Sequence, residues 1–273
     1  MCKSLLTITH GIIIIALHRE NEHKNHTYQG GTTMKRITTF ALALALIAAL
    51  ALTGCSQPAA AASEEPAVNP FASKLSSEVY AEAEKVNPEG KTIDILLVID
   101  MQKDFVDGAL GTAEAQAIVP AVVAKIEEYK AKGGVIIGTK DTHEEGYLET
   151  QEGVNLPVVH CVENTPGWEL DAAVGGAMPE DALIINKPVF GSTDLVGIIG
   201  EYVAEYGQPN VNVEIIGLCT DICVTSNAIL QKSFYPEMPI SLDAACCAGV
   251  TPESHDAALI TLGMCQIKIT NND

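Results

Sequence analysis

Cys223, Lys187 and Asp100 are residue types that together can carry out nucleophilic hydrolysis. A thiol attacks near neutral pH only if its pKa is lowered or a base is close by. Cys223 lies in Gly217-Leu218-Cys219-Thr220-Asp221-Ile222-Cys223-Val224, where a helix is predicted to begin, and the positive end of a helix favours thiolate. A nearby Lys187 would favour it further. Asp100 can accept the thiol proton and return it to a leaving amine. Taken singly, each has an ordinary structural role: packing for the cysteine, turn capping for the aspartate, solvation for the lysine. Their shared placement just after strand-like runs sets them apart.

A second constellation lies in a long segment at 141–180, which contains Gly and Pro and has little periodicity. Loops of that length inside compact domains are usually functional. It opens on Asp141-Thr142-His143 and later reads Leu156-Pro157-Val158-Val159-His160-Cys161. Asp141 and His143, two apart in an extended segment, face the same way. His160 from the end of the loop would complete a carboxylate–bis-imidazole set suited to Zn²⁺ or a similar divalent ion. Either histidine alone would be an ordinary hydrogen-bonding loop residue.

The elements that must hold these groups alternate between strand and helix. Residues 93–100 form a near-continuous apolar run, expected of a strand buried on both faces. Val119, Val122, Ile126 and Tyr129 recur at helical spacing, and Gly133-Gly134 ends that helix. Strands are predicted at 135–138, 182–185, 211–217, 240–243 and 265–270, with helices near 194–206, 221–233 and 252–264. This implies an α/β fold of three layers, doubly wound, with a mostly parallel sheet flanked by helices. Ligands of such sheets bind beyond the carboxyl ends of the strands, where Asp100, Lys187 and Cys223 all fall.

Composition narrows the function classes. Sixteen Lys and Arg against 35 Asp and Glu give a net charge of −19, which excludes nucleic-acid binding through clustered cations. Hydrophobic residues at 47% support a sizeable core, and only 5% aromatic content means that core is aliphatic. The eight cysteines contain no CxxC pair and several sit in apolar runs, as small hydrophobes do. Cys246-Cys247 read first as buried small residues, with a redox pair as the alternative. Homo-oligomerisation is compatible with such a domain.

The front of the chain reads as an address. Lys35 and Arg36 precede an apolar run from Phe40 to Leu52, and Leu52-Thr53-Gly54-Cys55 resembles a bacterial lipobox. Residues 34–54 are then a lipoprotein signal peptide and 1–33 a spurious upstream extension, with an uncleaved membrane anchor as the alternative. Lipid on Cys55 would anchor the protein in the cell envelope, on the outer side of a bacterial cytoplasmic membrane. Residues 55–90 read as a tether, with a short helix at 74–90 whose Val79, Ala83 and Val86 share a face. The remaining 91–273 is the hydrolase domain.

Asp100-Met101-Gln102-Lys103-Asp104-Phe105 after a strand, Lys187 after a later one, and Gly217 to Val224 in this order resemble the isochorismatase-like cysteine hydrolase superfamily, which includes nicotinamidases. The resemblance spans residues 92–270. It implies that Cys223 attacks an amide carbonyl, that Asp100 acts as base and then acid, and that Lys187 orients the pair. A thioester acyl-enzyme follows, which water hydrolyses. It also implies a cis Leu218–Cys219 peptide that aims the backbone amides of Cys219 and Cys223 at the oxyanion.

Nicotinamidases are similar in carrying Asp-x-His followed by another His, many with a further His or Glu between. This chain has no third histidine there, so a carboxylate must substitute: Glu152 first, Glu149 second. The ion would be Zn²⁺, with Fe²⁺ or Mn²⁺ as alternatives, and would bind the pyridine nitrogen of nicotinamide. Isochorismatases proper lack this set and take a dianion, whereas residues 91–273 contain no Arg, which favours a small neutral amide. Phe105 is placed to stack on a flat ring, with Tyr147 and Trp168 as weaker candidates. The implied reaction is nicotinamide plus water to nicotinate plus ammonia. Alternatives are another small-amide or carbamoyl hydrolase, an isochorismatase-type hydrolase, or an inactive surface binding protein.

Overall fold

The computed structural model describes residues 76–272. The expected signal peptide, Cys55 and residues 55–75 of the tether lie outside the described residues. Among the described residues no helix is long and apolar enough to cross a membrane.

The chain runs α1 (Ser76–Val86), β1 (Ile93–Ile99), α2 (Lys103–Val106), α3 (Ala113–Lys132), β2 (Val135–Asp141), α4 (Gln151–Asn155), α5 (Ala172–Ala177), β3 (Leu183–Lys187), α6 (Thr193–Tyr206), β4 (Val211–Leu218), α7 (Thr225–Phe234), β5 (Ile240–Ala248), α8 (Pro252–Met264) and β6 (Lys268–Thr270). The six strands form one sheet in the order β3-β2-β1-β4-β5-β6, and every pairing is parallel.

Alternation along β1 divides the core, because successive side chains of a strand point to opposite faces. Ile95, Leu97 and Ile99 pack with Leu195 and Ile199 of α6, Ala228 of α7 and Leu259 of α8. Leu96 and Val98 pack with Ile118, Val122 and Ile126 of α3 and Val174 of α5. The sheet is thus sandwiched between two helical layers, and its strand order reverses at β1 and β4, the place where such sheets bind ligands. Thr112 caps α3 by accepting from the Ala115 amide, and Gly133, at φ 72°, ends it in the left-handed conformation that glycine tolerates.

Several boundaries differ from expectation. β3 runs to Lys187, making it the last strand residue, and β5 continues through Cys247. Cys246 belongs to one face of the sheet and Cys247 to the other, so adjacent strand positions rule out a bond between them. Both are buried free thiols. The 141–180 segment contains α4, α5 and a 3₁₀ turn at Tyr147–Glu149, elements too short to leave a periodic trace. In α1, Val79 and Ala83 are buried but Val86 is exposed.

β4 lies against β1 at Gly217, whose φ is 119° and which pairs with Ile99. A Cβ there would lie 2.1 Å from the Ile99 carbonyl oxygen, an overlap with backbone that no rotamer relieves. Gly217→Ala is therefore expected to cost about 3 kcal/mol or more, read as a lowered urea midpoint. An unchanged midpoint would refute the close approach.

Candidate active site

Four strands deliver the site to one edge of the sheet. Asp100 follows β1, Asp141 ends β2, Lys187 ends β3, and Cys223 follows β4. Asp100 turns the chain out of the sheet at φ 47°, an uncommon conformation that Asp tolerates better than most residues. The Thr139 hydroxyl donates to its Oδ1 at 2.6 Å.

Lys187 is the hub. Its Nζ is 2.6 Å from Asp100 Oδ2, 3.2 Å from Asp141 Oδ1 and 3.4 Å from Cys223 Sγ. The Val189 carbonyl accepts a further bond at 3.2 Å. Burial alone would push its pKa down, but Asp100, Cys223 and Asp141 more than offset that and hold it above the ordinary lysine value. It stays an ammonium although its side chain is 0% exposed.

Burial pushes the Asp100 carboxyl up, and the Lys187 charge offsets this only in part. Burial also pushes the Cys223 thiol well up; Asp100 adds to the rise and Lys187 opposes it. The resting thiol therefore keeps its proton beside a carboxylate of raised proton affinity, a better acceptor than an ordinary aspartate.

Cys223 sits in a wide π-helical turn at Thr220–Val224 that leads directly into α7. The expected start of a helix near Asp221 holds, with this local widening. Side chains add to the backbone bonds of the turn: the Thr225 N–H reaches Thr220 O, Thr225 Oγ1 donates to the same oxygen at 2.6 Å, and Asn227 Nδ2 donates to Cys223 O at 2.8 Å. Such turns recur at functional sites. The Leu218–Cys219 peptide preceding it is cis.

Asp141, His143, Glu152 and His160 bring one ligand atom each to within 4.8 Å of one another, a candidate metal-binding cluster. Glu149 is outside it. His160 Nδ1 lies 2.8 Å from the Val158 carbonyl, which favours the tautomer that leaves Nε2 a free lone pair for the cluster. His143 Nε2 is 2.9 Å from Asp141 Oδ2 yet has no hydrogen bond of proper geometry. A close but misaligned approach of two buried groups is what ligands converging on a common cation give. Burial pushes Asp141 up, but His143, His160 and Lys187 hold it well below the usual carboxylate range. Burial, and then Asp141, push Glu152 up; a cation between the two carboxylates would relieve this. The donor set fits a divalent ion. Gly153 lets α4 close over the 3₁₀ turn, since a Cβ there would meet the Tyr147 carbonyl oxygen at 2.0 Å.

Members of both sets line one cavity of about 280 Å³, walled by Phe105, Leu110, Leu156, Phe190, Ile222 and Val250, with Asp141, Glu152, His160, Cys219 and Cys223 also at its surface. Phe105 lines it, as expected of a ring-stacking residue. Tyr147 and Trp168 do not. Tyr147 packs behind the histidines, 4.5 Å from the His143 ring and 4.9 Å from that of His160, and its hydroxyl donates to Leu156 O. Trp168 is turned away, with Nε1 donating to Thr142 Oγ1 and Lys140 over its ring. Sequence reasoning gave no role to Leu110, Leu156 and Val250, which come from loops without periodicity, nor to Ile222 in the π-helical turn beside Cys223, nor to Gln102, which carried a signal as part of the β1 motif.

A family model described as the isochorismatase domain matches residues 94–273. A nicotinamidase of Schizosaccharomyces pombe is 28% identical over 198 residues, covering 60% of this chain and 86% of that protein. The crystal structure of the Pyrococcus horikoshii pyrazinamidase in complex with zinc is similar at 32% identity and a TM-score of 0.54, over 65% of this chain and 98% of that one. A pyrazinamidase/nicotinamidase from Streptococcus mutans is similar at 25% identity and a TM-score of 0.56, over 65% and 99%.

Proposed function

The chain belongs to the isochorismatase family of hydrolases, and from that premise we propose that it is a cysteine amidohydrolase of the nicotinamidase type, converting nicotinamide and water to nicotinate and ammonia. The observation that carries this reading is the joining of two chemistries across one apolar cavity. Cys223 and the Asp141–Glu152–His160 wall face the same space, and Asp141 touches Lys187 as well as the histidines.

Asp100 takes the thiol proton as Cys223 Sγ attacks the amide carbonyl carbon. Negative charge gathers on the carbonyl oxygen, for which the backbone amides of Cys219 and Cys223 are the donors. The intermediate collapses as Asp100 returns the proton to the departing nitrogen, and ammonia leaves a thioester on Cys223. Asp100 then removes a proton from water, which attacks the thioester and releases the acid and the thiol. Lys187 stays charged throughout and holds the carboxylate toward the sulfur. Phe105 gives the ring an apolar face. Asp141, His143, Glu152 and His160 would hold a divalent ion, zinc first with Fe²⁺ or Mn²⁺ as alternatives, which would supply Lewis acidity toward the ring nitrogen.

Among the described residues no Lys or Arg lines the cavity, which disfavours a dianionic, isochorismatase-type substrate. A second reading within the same chemistry is a larger aromatic amide. It is favoured by Leu156, Phe190 and Val250, apolar cavity residues that are nonetheless exposed and would cover a ring substituent. Zinc-loaded protein is expected to release ammonia from nicotinamide, and chelation to slow release about tenfold or more. Release from substituted ring amides alone would select the second reading. No release from any ring amide would refute both.

A further inference from the structure

We propose that Gln102 is a positioning residue that continues the β1–β2 ladder with its side chain, so that Asp141 can serve the lysine and the metal centre at once. The inference rests on the metal-centre reading above. β1 and β2 pair regularly up to Val98 and Gly138, and Asp100 N still donates to Thr139 O at 3.2 Å. At Asp100 the backbone turns away at φ 47°, which removes the main-chain partners that Asp141 would have had from β1.

The Gln102 side chain supplies them. Its Oε1 accepts from Asp141 N at 2.7 Å and its Nε2 donates to Asp141 O at 2.8 Å, the donor and acceptor pair that a peptide group of β1 would have offered. Nε2 also donates to Trp168 O at 3.0 Å, which ties the far end of the long loop to the same point. Gln102 is 0% exposed, so no water is at hand to replace these bonds.

Position matters more for Asp141 than for its neighbours because its two oxygens have different work. Oδ1 is 3.2 Å from Lys187 Nζ, while Oδ2 is 2.9 Å from His143 Nε2 and 3.6 Å from His160 Nε2. On the β3 side the strand is held by Thr142 N donating to Lys187 O at 2.9 Å. Gln102 supplies the opposing hold. Without it, a rotation of the Asp141 backbone would trade one contact for the other.

The test is zinc affinity of the full chain, by competition with a chromogenic chelator, together with kcat on nicotinamide at saturating zinc. Gln102→Met keeps the bulk and removes all three bonds; it is expected to weaken zinc roughly 10–100-fold and to leave kcat lowered even at saturating zinc. Gln102→Glu keeps the acceptor for Asp141 N and serves if the methionine variant fails to fold; it is expected to weaken zinc by a smaller factor. Ile126→Val, which removes a buried methylene in α3, should lower stability with zinc affinity unchanged. Parental zinc affinity in both Gln102 variants, or an equal loss in Ile126→Val, would overturn the positioning role. A parent protein that binds no zinc would overturn the metal-centre reading and this inference with it.

Discussion

Cys223→Ala is expected to lower amide hydrolysis by at least roughly 10⁴-fold while the protein keeps its fold. Cys223 belongs to one core cluster, and truncating one sulfur there costs far less than the global stability of a domain. Cys219→Ala is the matching control. Cys219 also faces the cavity, but burial, and then Asp221, push its thiol up to about 12. The Lys187 ammonium bonds the other sulfur, Cys223 Sγ, at 3.4 Å. The role assigned to Cys219 uses its backbone N–H, which alanine retains, so its variant should keep the rate within a few fold. Hydroxylamine added to turnovers should divert a thioester to hydroxamate in the parent and in Cys219→Ala, and yield none in Cys223→Ala. Activity surviving in Cys223→Ala would sink the nucleophilic mechanism as a whole.

The contrast between the two cysteines also marks what a linear reading can and cannot see. Asp100, Lys187 and Cys223 were legible because each lies at or just beyond the end of a strand-like run, and in a parallel sheet strand ends share an edge. Asp141 and His143 were legible from a spacing of two in extended chain. Glu152, ahead of Glu149, came from the resemblance to nicotinamidases; the fold groups it, and not Glu149, with the histidines because α4 begins at Gln151 and Gly153 allows that turn to close on Tyr147.

Tyr147 and Trp168 show the opposite case. Each is a large ring in the right loop, but whether a ring faces a cavity or the back of a histidine depends on packing between segments distant in sequence. Gln102 is harder still. Its role exists only because Asp100 takes the backbone out of the sheet two residues earlier, and nothing in residue type or periodicity announces that departure. The three-layer parallel sheet followed from strand–helix alternation, whereas the extension of β5 through Cys246 and Cys247 was hidden by its small residues, which read as buried but carry little strand signal.

Lys187→Met should produce the other large effect, and in two measurements at once. Three ionisable groups, beside the Val189 carbonyl, surround the ammonium in a space from which water is excluded: Asp100 Oδ2 at 2.6 Å, Asp141 Oδ1 at 3.2 Å and Cys223 Sγ at 3.4 Å. Removing one partner of a buried ion pair leaves an uncompensated charge and costs about 3–5 kcal/mol. Asp100 bears most of it, since its carboxyl is already raised by burial and loses the one charge that opposed the rise.

The sign in pH follows. A carboxyl whose folded pKa lies above its unfolded value binds protons more tightly in the folded state, so stability falls as pH rises from the unfolded value toward the folded one. The loss in Lys187→Met should therefore be largest near neutral pH and shrink in acid, where Asp100 is neutral in both states. The same shift protonates the base at working pH, so hydrolysis should fall in parallel with stability. Asp100→Asn combined with Lys187→Met removes the stranded charge and the base together. It should recover part of the stability, with Thr139 still able to donate to the amide oxygen, and none of the activity. That split separates electrostatic compensation from mere packing of the lysine stem. A Lys187→Met protein within about 1 kcal/mol of the parent at neutral pH would mean the carboxylates do not depend on this ammonium, and the account of the thiol's activation would fail with it.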